Sequence, residues 1–405
     1  MPTRKLILPL LLAPLALGGC GGETPKPEKK RTMHDYSIYD KGVTFKDELW
    51  KAPEFRYDEA EDNSESKGLW IRNDYKGEES YNFAFLAKPK AQKEKYPAVV
   101  LVHGGGGTAY YEWAEAWAAR GYVALALDLE GHVPNKEGRI ASAENLYRAS
   151  PYSAPHNTNL ADGDLPEDET WLHYACRSVI IANSFLHHLE GVDIYSIGVC
   201  GVSWGGYITS IVSGYDDRFA FAIPIYCTKP MKESGTPFAG YLDAAKGAFD
   251  KFDNFEALSL VQTPVNVIMS DSDIWGDAVA FTSMVSVMKN ARLTVKHRLG
   301  HAHYDAMNLL EPYTYADNVI ADKPITSFKR NGNEITIDNL PSDVKSAYAL
   351  VTEETNIKQL RTFDKERQVL NGNKITLDLG EAVTYFVVCI EDEIGNAYTS
   401  LLYAK

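Results

Sequence analysis

Ala98-Val-Val-Leu-Val102 is apolar at five consecutive positions and is bounded by Pro97 and by His103-Gly104. A run without a polar face predicts a central strand of a parallel sheet, covered on both sides. Trp113, Ala116, Trp117 and Ala119 then recur at helical spacing up to Gly121, and a second apolar strand over 123–127 ends at Asp128. A half-alternating strand over 81–87 precedes them. A helix over about 169–189 follows, its apolar face set by Leu172, Ala175, Val179, Ala182, Asn183 and Leu186. Further strands are expected over 194–199, 221–225, 265–269 and 293–299. Alternation of strand and helix predicts an α/β fold with a doubly wound, mostly parallel sheet. Between Leu129 and Glu167 the periodicity is broken by Pro134, Pro151, Pro155, Asn157, Asn159 and Gly163. A long irregular segment inside such a domain is expected to shape a cleft.

Beyond Pro324 the period shortens to two. Strands are expected over 334–337, 346–352, 374–379 and 384–391, with Asn331-Gly332 and Asn371-Gly372 as hairpin turns. Residues 323–405 therefore read as a small all-β module resembling a sandwich. At the other end, Arg4 and Lys5 precede an apolar run from Leu6 to Leu17 that is too short to span a bilayer, so residues 1–19 read as a secretory signal. Leu17-Gly18-Gly19-Cys20 resembles a bacterial lipobox, which implies lipidation of the Cys20 thiol and a membrane anchor in the cell envelope. Residues 20–35, rich in Gly, Pro and charge, read as a flexible tether. The α/β domain is then expected over 36–322.

The length of 405 residues suits one large domain with a smaller companion, and 45% hydrophobic content supports a sizeable core. A formal net charge of -14 opposes nucleic-acid binding, which needs a basic surface. Cys176, Cys200, Cys227 and Cys389 lack metal-ligand spacing and read as buried free thiols, so no metal, no cofactor and no disulfide pairing is assigned.

Gly201-Val-Ser203-Trp-Gly205 follows an apolar strand and precedes a segment able to form a helix. That is the context of a nucleophile elbow, in which small flanking residues tolerate a strained serine and the following amide, here that of Trp204, faces a developing oxyanion. About one hundred residues upstream, His103-Gly104-Gly105-Gly106-Gly107 follows a strand, and Gly105 and Gly106 are candidates for the second oxyanion amide. A phosphate loop is the rival, but the Gly-Lys-Ser/Thr that would complete it is absent. A serine nucleophile needs a base and a carboxylate that orients the base. Asp273, four residues past the strand end at Met269, is favoured over Asp271. His301, following Gly300, is favoured over His303, which is expected to line the pocket, while His297 is placed inside the last strand.

Pro97–Thr108, Arg120–Asp128 and Gly201–Tyr207 resemble segments of secreted bacterial α/β-hydrolases related to acetylxylan esterases, dienelactone hydrolases and the catalytic domains of prolyl-oligopeptidase-type peptidases. The resemblance covers about residues 80 to 320. It implies the α/β-hydrolase fold and a serine carboxylic-ester hydrolase acting through an acyl-enzyme, with glycan or small-molecule esters as substrate. The acid loop departs from these relatives in carrying Ser270 for Gly, and the histidine segment reads Gly-His-Ala-His. A peptidase or amidase using the same triad is the alternative, and a non-catalytic glycan-binding lipoprotein is a third reading.

Overall fold

A computed structural model describes residues 44–405, apart from 64, 136–145, 153–160, 228–230, 233, 238, 241–251, 254–257 and 357–362. The signal, Cys20, the tether and the expected domain start at residue 36 lie outside the described residues.

In chain order the first strands are β1 (Phe55–Tyr57), β2 (Ser66–Arg72), β3 (Tyr81–Ala87), β4 (Tyr96–Val102) and β5 (Val123–Leu127), with helix α1 (Tyr111–Ala119) between the last two. A short ribbon of β6 (His132–Pro134) and β7 (Tyr147–Ala149) lies within the irregular segment. Helix α2 (Trp171–His188), strand β8 (Val192–Val202), helix α3 (Trp204–Tyr215), strand β9 (Phe221–Ile225), strand β10 (Val265–Ser270), helix α4 (Ala278–Val287) and strand β11 (Ala291–Lys296) follow. Helices α5 (His303–Met307) and α6 (Glu311–Ile320) complete this part. Nine strands form one sheet in the order β1-β2-β3-β5-β4-β8-β9-β10-β11. It is antiparallel from β1 to β5 and parallel from β5 to β11.

The strand periodicity explains why the central runs are apolar throughout. Ala98, Val100 and Val102 face a core built on α2, α3 and α4, whereas Val99 and Leu101 face the opposite core on α1 and α6. Both faces are therefore dry, as parallel sheets require. One expectation is corrected at the end of the sheet: β11 stops at Lys296, so His297 lies beyond the strand and not inside it. The antiparallel strand β1 was not legible, because the exposed triplet Phe55–Tyr57 has no one-sided pattern, and β2 was not singled out either.

The remaining strands are β12 (Ser327–Asn331), β13 (Glu334–Asp338), β14 (Val344–Thr352), β15 (Asp364–Arg367), β16 (Leu370–Asn371), β17 (Lys374–Thr376), β18 (Tyr385–Asp392), β19 (Ala397–Thr399) and β20 (Tyr403–Ala404). They form two antiparallel sheets, β12-β13-β17-β16 and β15-β14-β18-β19, with β20 also on β18. Ile335, Ile337 and Ile375 of the first pack with Ala349, Phe386, Val388 and Ile390 of the second. The opposite face of the second sheet, with Tyr348, Leu350, Val387 and Cys389, merges into the core of the large sheet. Strand β19 closes the outer edge of β11, where the Thr399 hydroxyl donates to Leu293 O at 2.9 Å and accepts from Val295 N at 3.1 Å. Cys176, Cys200, Cys227 and Cys389 are buried, and among the described residues no disulfide joins them.

Candidate active site

Strands β8, β10 and β11 end on one edge of the sheet, with β9 between the first two, and each hands on a polar side chain. At the end of β8, Ser203 has φ 55° and ψ -119° and forms the N-cap of α3. A side chain in this left-handed region is strained by about 1 kcal/mol or more, so the turn survives only because its surroundings force it. The flanking glycines show how tightly they do. A Cβ on Gly201 would lie 2.1 Å from Gly205 O, and one on Gly205 would lie 2.1 Å from Val102 O. Ser203 N donates to Ile225 O at 2.8 Å, fixing the turn to β9.

From the loop after β11, His301 Nε2 lies 2.9 Å from Ser203 Oγ, and its Nδ1 lies 2.6 Å from Asp273 Oδ2. The hydroxyl can donate to Nε2 only if the ring proton is on Nδ1, where the carboxylate holds it. Asp273 Oδ1 accepts from Trp275 N at 2.9 Å, which fixes the carboxylate from its other side. The Tyr226 ring, 4.8 Å from the His301 ring, tilts against the imidazole. Burial raises the pKa of its phenol, with Asp305 and Asp273 adding to the effect.

The two alternates go elsewhere. Asp271 accepts from His297 Nδ1 at 2.5 Å and from Arg298 N at 2.6 Å. His303 meets neither Ser203 nor Asp273. Its Nε2 accepts the amide of Gly104 at 2.7 Å, and burial, with His103 and His301 adding, lowers its pKa to about 3. His303 is thus set against the glycine loop.

Trp204 supplies the first amide of α3, directly behind Ser203. In the glycine loop the amide of Gly106 donates to the Glu130 carboxylate, 3.1 Å from both oxygens, so Gly106 is corrected as an oxyanion donor. Gly107 N is turned back to Gly104 O at 3.1 Å. Gly105 keeps its candidacy. Sequence reasoning passed over Glu130, although its position two residues past Asp128, at the carboxyl end of β5, is where open α/β sheets place their sites. Among the described residues no group of three or more His, Cys, Asp or Glu could hold a metal, and no helix is long and apolar enough to cross a membrane.

The chain is similar to several solved structures. An acetyl xylan esterase from Paenibacillus sp. R4 is 18% identical, with 66% of this chain and 90% of that one covered and a TM-score of 0.48. Acetyl xylan esterase 1 from Thermoanaerobacterium sp. is 14% identical over 68% of this chain and 92% of that one, with a TM-score of 0.46. An acylaminoacyl peptidase from Pyrococcus horikoshii is 15% identical over 62% of this chain and 41% of that one, with a TM-score of 0.45. Comparison with curated proteins gives no match. The dienelactone hydrolase family model matches residues 83–299, more than half of the 405-residue chain and a span that holds the glycine loop, Ser203 and Asp273, and the chain belongs to that family.

Proposed function

We propose that the chain is a serine ester hydrolase that forms an acyl-enzyme on Ser203. The observation that carries this reading is the hydrogen-bonded line from Ser203 Oγ through His301 to Asp273, at 2.9 and 2.6 Å. His301 Nε2 takes the hydroxyl proton as Oγ attacks the ester carbonyl carbon, and Asp273 stabilises the resulting imidazolium through Nδ1. The carbonyl oxygen becomes an oxyanion held by the amides of Trp204 and Gly105. The intermediate collapses, the C–O bond breaks, and His301 returns the proton to the leaving alcohol. Water then repeats the sequence on the acyl-enzyme and releases the acid.

The proposed substrates are esters on glycans, acetyl groups among them, met in the cell envelope by a protein anchored through Cys20. The segment likeness to acetylxylan esterases supports the first part, and Leu17-Gly18-Gly19-Cys20 supports the second. The experiment is a screen of the soluble chain lacking residues 1–20 against acetylated xylo-oligosaccharides, p-nitrophenyl acetate and peptide amides, with fluorophosphonate labelling in parallel. Ester turnover that disappears in Ser203→Ala, together with labelling at Ser203, supports the reading. Turnover of amides alone overturns the ester assignment, and a wild type that neither labels nor turns over overturns the nucleophile.

A further inference from the structure

The backbone of the turn from Gly104 to Gly107 is held by side chains from two other parts of the chain, His303 after β11 and the 128–132 turn after β5, and by the neighbouring His103. The amide of Gly104 donates to His303 Nε2 at 2.7 Å, and Gly104 O lies 2.7 Å from His103 Nδ1. His103 Nε2 accepts from Leu129 N at 2.9 Å, so the ring carries its proton on Nδ1 and donates it to Gly104 O. The amide of Gly106 donates to the Glu130 carboxylate, and Gly107 O lies 2.7 Å from His132 Nδ1. Asp128 Oδ2 accepts from Gly131 N and His132 N at 2.8 and 2.9 Å, which fixes the turn that carries Glu130 and His132. Within Gly104–Gly107, the amide of Gly105 is the one that donates to no group among the described residues.

The fit is tight at the point where the loop meets the nucleophile. A Cβ on Gly104 would lie 2.9 Å from Ser203 Cβ and 3.2 Å from His303 Cε1, so the Gly104 backbone is wedged between the two side chains. Tyr110 backs His303 from the other side, with ring centroids 4.7 Å apart. Glu130 itself is 1% exposed, and a carboxylate buried to that degree is costly unless hydrogen bonds repay it. Both clamping groups are acceptors aimed at amides that flank Gly105.

We propose that Glu130 and His303 are positioning residues that hold the glycine loop so that the Gly105 amide points at the developing oxyanion. The inference rests on the Ser203 acyl-enzyme reading and deepens it. Neither residue touches the reacting atoms. Each acts by withdrawing a neighbouring amide from competition and fixing the rotation of the peptide plane between them. Because the oxyanion exists only in the transition state, loosening the clamp should lower kcat and leave ground-state binding nearly unchanged.

The experiment uses four variants, Glu130→Ala, Glu130→Gln, His303→Ala and His303→Gln, with p-nitrophenyl acetate turnover, inhibition by benzeneboronic acid, which forms an anionic tetrahedral adduct on a serine, and fluorophosphonate labelling. Each alanine variant is expected to lose on the order of 10² in kcat with KM changed less than about threefold, and to bind the boronate correspondingly more weakly. Each glutamine variant retains a side-chain acceptor and is expected to recover most of the loss. Two independent positions keep the test decisive if one alanine variant does not fold. Labelled wild type with full kcat in the folded alanine variants, or a rise in KM at constant kcat, overturns the clamp alone. Wild type that neither labels nor binds the boronate overturns the nucleophile reading beneath it.

Discussion

Asp271 and Asp273 leave the end of β10 two residues apart, yet each takes a different histidine: Asp271 binds His297 at 2.5 Å and Asp273 binds His301 at 2.6 Å. Both carboxylates are buried, at 2% and 6% exposure, and Asp271 also accepts the Arg298 amide. The outer pair therefore ties the end of β10 to the turn after β11, while the inner pair reaches Ser203.

The two pairs predict opposite signatures. Asp273→Asn should reduce kcat by on the order of 10⁴, because the amide no longer holds the His301 tautomer that can accept the Ser203 proton. Asp271→Asn should cost stability first, by about 1–3 kcal/mol, with kcat falling less than about tenfold. Steady-state kinetics beside urea unfolding separates them. A large kcat loss in Asp271→Asn without destabilisation would move the catalytic acid.

Gly205→Ala tests the elbow. Its Cβ would lie 2.1 Å from Val102 O, a backbone atom of a central strand that has nowhere to retreat. A loss of at least about 3 kcal/mol is expected, at the upper end of overpacking costs. Thermal unfolding of wild type and variant checks it, and an unchanged Tm would contradict the packing described.

The small β-sheets should prove inseparable from the large one. Tyr348, Leu350, Val387 and Cys389 belong to the same core as α2 and α3, and Thr399 satisfies two backbone groups of β11. Truncation after residue 322 is expected to leave the chain insoluble. Thr399→Val, nearly the same shape, should destabilise by about 1–3 kcal/mol through the unsatisfied Val295 amide and Leu293 carbonyl. A soluble, active truncation would contradict this.

His303 gives a pH dependence. Its pKa is lowered to about 3 in the folded chain, by burial first and then by His103 and His301, against 6.5 for an ordinary histidine. Below about pH 6.5 the unfolded chain therefore binds a proton that the folded chain refuses. The stability contribution of a neutral His303 is complete above pH 6.5 and is lost as the pH falls toward 3. Over that window His303→Gln should show a shallower decline than wild type, by up to one proton's slope of about 1.4 kcal/mol per pH unit. Urea midpoints at pH 4.5, 5.5 and 7 provide the comparison, and identical slopes would argue against a neutral buried ring.

Cys20→Ser should release the full-length chain from membranes, since a thioether-linked lipid is the proposed anchor. Fractionation with mass analysis of the N-terminal peptide decides it. Wild type lacking lipid would remove the envelope location.

Runs such as Ala98–Val102 and Val123–Leu127 announce buried strands because period and burial are local properties of the chain, and the small residues at 201 and 205 announce a turn that only glycine can make. Those patterns were enough for the central strands from β3 onward, the elbow and the order of serine, acid and histidine along the chain. Choosing between His301 and His303, or between Asp271 and Asp273, required distances across 98 and 28 residues of chain, where one residue of turn length decides which ring reaches Ser203. The same holds for the glycine loop. Four glycines in a row carry no side chain to distinguish them, so which amide stays free depends on Glu130 and His303, brought in from 24 and 199 residues away.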